Sequence, residues 1–103
     1  MVAPLENLTA LRVRLVSTAP HPRLPGWQLA RVDLLSATPV PGFADLLSAR
    51  TGRPLDLDIR PAQLVGVAPG AVLRLRARLA AGEVFAEQEP APGDFTVEEP
   101  PTL

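Results

Sequence analysis

The sequence predicts a mainly β fold, a small barrel of five to six strands with one or two short helices, on three observations. Apolar and polar residues alternate with period two over several short stretches, the spacing that turns one face of a strand to a core and the other to water. Proline and glycine, 20 of 103 residues, gather between those stretches, where turns need them and ladders do not suffer. Helical spacing is confined to two short windows. A chain of 103 residues, 47% hydrophobic and 20% charged, suits one core, since single domains run about 50–200 residues.

The first strand is residues 11–17, with Leu11, Val13 and Leu15 on the core face and Arg12 and Arg14 on the other. Residues 1–10 precede it as an N-terminal arm. Pro20, Pro22 and Pro25 cannot donate to a ladder, so residues 19–26 form a loop. Residues 27–37 form a second strand, closed by Pro39 and Pro41; its weaker alternation implies that both faces are partly covered. Phe43, Leu46 and Leu47 at helical spacing, followed by Gly52 as a left-handed stop, predict a short helix or helical turn over 43–51. A strand over 46–50 is the rival reading. Residues 55–60 alternate strictly, with Leu55, Leu57 and Ile59 inward and Asp56, Asp58 and Arg60 outward.

Pro61 suits the first position of a helical turn that Gly66 ends. Ala68-Pro69-Gly70-Ala71 has Pro and Gly where a type II turn wants them. Residues 72–79 make the clearest strand, Leu73, Leu75, Ala77 and Leu79 on one side, Arg74, Arg76 and Arg78 on the other. A hairpin follows at Gly82. A three-residue loop there puts Phe85 opposite Ala77 on the core face, whereas a two-residue loop puts it over Arg78. Residues 11–88 therefore make the barrel domain, and 89–103 an acidic Pro-rich tail in which 94–97 alternate like a short strand suited to a sheet edge.

Composition removes most chemistry. Without cysteine there is no disulfide framework, thiolate metal site or cysteine nucleophile, and one histidine, His21, cannot make a histidine cage. Asp56 and Asp58 share a strand face but lack a Gly-containing ligand loop, so they are expected to pair with arginine rather than hold a cation. His21, between two prolines, reads as an ordinary loop histidine. No catalytic residue, metal or cofactor is expected, and the chain is read as non-enzymatic. The longest uncharged stretch, residues 61–73, contains two prolines and is too short to span a membrane, which takes about 20 apolar residues. The opening Met1-Val2-Ala3-Pro4-Leu5-Glu6 has neither the basic nor the apolar region of a secretory signal, so a cytoplasmic location is expected. Asn7-Leu8-Thr9 is then no glycosylation site, and Pro22-Arg23-Leu24-Pro25 is a bare PxxP match.

Charge is segregated. Residues 1–82 hold all ten arginines against Glu6, Asp33, Asp45, Asp56 and Asp58, a balance of +5, while residues 83–103 hold six acids and no base, a balance of −6. The acidic C-terminus is expected to shield the arginines until a partner displaces it.

Three strands, a short helix, a turn and a two-stranded hairpin is an element order that resembles the oligonucleotide/oligosaccharide-binding (OB) fold over roughly residues 10–88. SH3-like barrels and small β-sandwiches use strands of similar length and are the alternatives. The resemblance implies a binding module. A candidate face for an anionic ligand or a partner is formed by Arg12, Arg14, Arg74, Arg76 and Arg78, with Trp27 as a stacking group. The tail is loosely similar to those by which bacterial single-stranded-DNA-binding proteins recruit partners, though it ends in Leu103 rather than an aromatic residue. Protein–protein interaction or self-association is the first reading, single-stranded nucleic-acid binding the second.

Overall fold

The computed structural model describes residues 6–98. Its strands are β1 (Thr9–Pro20), β2 (Gln28–Pro39), β3 (Pro54–Ile59), β4 (Val72–Ala80), β5 (Glu83–Ala86) and β6 (Thr96–Glu98), with 3-10 turns at Ser48–Arg50 and Pro61–Leu64. The first five close a barrel in the order β1-β2-β3-β5-β4, and β4 returns to β1. The β3–β5 pairing is parallel and the others are antiparallel. β6 adds to β4 outside the closed barrel.

The alternation read from the sequence builds this core. Leu11, Val13 and Leu15 of β1, Leu57 and Ile59 of β3, and Leu73, Leu75 and Ala77 of β4 are all buried against one another. Two irregularities let the long strands curl around it: Leu35 and Val16 have no opposite residue in the β1–β2 register. Such bulges sharpen the local bend that the closed sheet needs, while β1 offers its two edges to β2 and β4.

Several boundaries move. β1 begins at Thr9, two residues earlier than the alternation suggests, because polar side chains anchor the approach. Thr9 Oγ1 donates to Asp45 Oδ1 at 2.9 Å. The Asn7 side chain donates to Leu79 O at 2.9 Å and accepts from Leu79 N at 2.6 Å, extending the β1–β4 ladder with an amide that belongs to no backbone. Residues 6–10 are thus part of the barrel, and 1–5 of the expected arm lie outside the described residues. β1 also runs on through Pro20, opposite Gln28. Proline is tolerated there because the β4 pairing has ended by Arg14, leaving an edge that needs no donor.

The helix expected over 43–51 shrinks to the turn Ser48–Arg50, and no strand forms over 46–50. Asp45 Oδ1 accepts from the backbone N–H groups of Leu47 and Ser48, each at 3.1 Å, which fixes a tight turn instead of a helix. The type II turn forms as expected, with Ala71 N donating to Ala68 O at 3.1 Å and Gly70 at φ 95°. The β4–β5 hairpin takes the two-residue loop, Ala81-Gly82, both at positive φ. Ala80 faces Glu83, and Phe85 therefore faces Arg78 on the outer surface rather than Ala77 in the core. In the tail, the edge strand falls at Thr96–Glu98 and Phe95 packs against the core. Glu99 to Leu103 lie outside the described residues. Among those described, no helix is long and apolar enough to cross a membrane.

Candidate functional site

Arg12 and Arg14 leave the barrel on the outer face of β1, beside Arg74 and Val72 of β4 in the same ladder. Period two places Arg76 and Arg78 further along β4 on that face. The acidic segment lies across this row. Glu98 accepts from Arg12 Nε and Nη2, both at 2.9 Å, and from Arg74 Nε at 2.7 Å. Glu87 accepts from Arg76 Nε and Nη2, its Oε1 at 3.2 and 2.9 Å and its Oε2 from Nη2 at 2.8 Å, and Asp94 Oδ2 lies 3.2 Å from the same guanidinium. The Arg12 hydrogen bonds first, and then that from Arg74, hold the Glu98 carboxyl down at about 2. Arg14 and Arg78 are exposed and make no ion pair among the described residues.

Trp27 belongs to a second group. Its ring meets Phe85 edge to face, centroids 5.5 Å apart, and the Arg60 guanidinium stands 4.9 Å from its centroid. Arg78 lies across the strand from Phe85, and the recess between them is lined further by Gln88 and Glu89. Of the six candidate residues, then, Arg12, Arg74 and Arg76 are drawn together under carboxylates, Arg14 flanks them uncovered, and Arg78 and Trp27 frame an aromatic recess.

The Pro-rich loop between β1 and β2 is pinned by the residue in it that reads as the least eventful in the sequence. His21 is buried, its Nε2 3.0 Å from Asp58 Oδ1 and 3.5 Å from Glu83 Oε1. Asp58 therefore pairs with histidine and not, as expected, with arginine; Asp56 does pair with arginine, Arg31 Nε at 2.7 Å. The difference arises because the loop folds back over β3 and covers Asp58 but leaves Asp56 in water. Burial first, and the nearby Glu83 charge second, push the Asp58 carboxyl up, and its Oδ2 has no hydrogen-bond partner among the described residues.

His21, Asp58 and Glu83 offer ligand atoms within 4.8 Å of one another, which invites a metal. The ring's other nitrogen argues against it. Nδ1 accepts the backbone N–H groups of Arg23 and Leu24, both at 3.1 Å, so a neutral ring carries its proton on Nε2. Nε2–H points at Asp58 as a donor, with no lone pair to offer a cation or a substrate proton. The group is a clamp on the loop, and Arg23 of that loop closes it with an ion pair to Glu83.

Sequence reasoning missed Glu87, Asp94 and Glu98 as individual partners of the arginines. The signal available was the opposed charge of the two segments, which gives the attraction but not the pairing. Comparison with protein-family models, curated proteins and solved structures finds no match for this chain.

Proposed function

We propose that this is a non-enzymatic binding module on an OB-type barrel, and that it works by assembling with a protein partner through strand addition. The strand order β1-β2-β3-β5-β4, the parallel β3–β5 pair and the helical turn between β3 and β4 support the OB-type reading over an SH3-like barrel or a sandwich. One observation carries the functional reading. An extended acidic segment is seated on the edge of β4 with its carboxylates on Arg12, Arg74 and Arg76, which is the way a sheet edge and a basic flank receive a peptide. Much of the positive face that favoured nucleic acid is consumed by those pairs. Further edge lies open on β1 beyond Leu15 among the described residues. Light scattering and crosslinking of the full chain over a range of concentrations should reveal a defined oligomer or complex. A strict monomer at every concentration, with no partner captured, would overturn the reading.

Single-stranded nucleic acid is the second reading, favoured by Trp27 and Phe85 beside the exposed Arg78. A base stacked on such a platform gains about 1–3 kcal/mol. A labelled oligonucleotide should then bind in low salt, weaken steeply as salt rises, and lose affinity in Trp27→Ala. Absence of binding at micromolar protein in low salt retires it.

A further inference from the structure

The seat of β6 is unlike any other in the sheet. Three ladder positions hold it, Val72 with Glu98, Leu73 with Val97 and Arg74 with Thr96. Thr96 and Val97 stay exposed, so the segment is fastened mainly by the carboxylates of Asp94 and Glu98 and by Phe95 against the core. The connector follows β5, its Glu87 N–H still donating to Arg76 O of β4 at 2.9 Å, and reaches Thr96 by way of Pro90, Pro92 and Gly93. A short, charge-held strand thus sits at the end of a proline-stiffened hinge. Hinges of this kind allow one element to change owners.

We propose that β6 is exchangeable, and that the β4 edge of one copy takes the residue 94–98 segment of a second copy, giving a reciprocal strand-swapped dimer. The proposal rests on the assembly reading above. The chemistry of the seat selects its occupant. The edge over residues 72–74 asks for backbone N–H and C=O groups, which a phosphodiester strand lacks. Arg12 and Arg74 ask for a carboxylate between them. An extended acidic peptide meets both demands. A second copy supplies that peptide identically, so every hydrogen bond and ion pair broken on opening is remade on exchange. The tether favours the closed monomer, at an effective concentration in the millimolar range, and exchange therefore grows with protein concentration.

The chain has no cysteine, so a bridge can be placed without competition. Arg74 and Thr96 are directly opposite in an antiparallel ladder, where Cα atoms stand about 4.5–5.5 Å apart, within disulfide range. In the full-length variant Arg74→Cys/Thr96→Cys, Glu98 keeps Arg12. Oxidised while dilute, it should remain monomeric at every concentration; reduced, it should regain the concentration-dependent dimer of the unmodified chain. Oxidised while concentrated, it should run as a covalent dimer on a non-reducing gel. If the locked form dimerises as well as the reduced form, the exchange proposal falls while assembly through another surface stands. If every form is monomeric, both fall. Should this variant fail to fold, Val72→Cys/Glu98→Cys places the lock on the same ladder but gives up the Glu98 pairs. Its test is that the form oxidised while dilute stays monomeric and the form oxidised while concentrated is a covalent dimer; a locked form that dimerises overturns the exchange.

Discussion

Along one edge of β4, β5 and β6 follow each other and are held by different forces. β5 pairs with residues 77–80 and buries Val84 and Ala86 in the core. β6 pairs with residues 72–74 through the same kind of ladder, yet leaves Thr96 and Val97 in water. Ladder hydrogen bonds add little net stability, because the unfolded chain makes equivalent bonds to water. Apolar burial is what separates a permanent strand from a removable one, and ion pairs exposed to solvent supply position more than strength.

The largest expected effect sets the scale for both strands. Leu75 is buried in the middle of β4 opposite Leu11, and Leu75→Ala should cost about 2–5 kcal/mol in denaturant unfolding. His21→Ala should cost about 2–4 kcal/mol, because it strands the buried Asp58 and two backbone N–H groups at the clamp that backs Glu83 at the start of β5. Among the described residues, β6 has no such backing. Val84→Ala, within β5, should cost about 2–3 kcal/mol for the apolar surface lost; a neutral result would undo the contrast between the strands.

Acid should loosen β6. Glu98 has its carboxyl lowered from 4.5 to about 2, so its contribution is present above pH 4.5 and lost as pH falls toward 2. Methyl resonances of Val97 should shift toward exposed values through that window, and Glu98→Gln should remove the transition. Asp45, also lowered to about 2 by the hydrogen bonding at Ser48 and the donors of Leu47 and Thr9, shares the window, but it is tied to Thr9 and not to β6. The smallest effect belongs to Val97→Ala, within about 0.5 kcal/mol. A loss as large as that of Val84→Ala would show that β6 is as much a core strand as β5.

Strict alternation made β3 and β4 readable at sight, since each puts one clean face on the core. The barrel closure was legible only as an element order. The start of β1 was hidden because Asn7 and Thr9 are polar residues at positions the apolar alternation leaves out, anchored by side-chain bonds to positions 79 and 45. The hairpin was undecided because Ala81 adopts a left-handed conformation that alanine rarely takes, so composition did not count the loop. The arginine row was visible and its partners were not. His21 and Asp58 lie 37 positions apart, and a loop read as surface had to fold over β3 to join them.

Barrel closure also orders the events of folding. β1 and β2 are joined by one loop and can pair early, as a local hairpin. Pairing β1 with β4 brings Thr9 to Ala77 across most of the described chain, and the parallel β3–β5 pairing waits on the β4–β5 turn. Loop-closure entropy must be met before those pairings reward it, which places the chain with the slower, non-local folders of the millisecond-to-second class. The Asn7 amide on Leu79, at the far end of the β1–β4 seam, is then the last stitch of that seam to form.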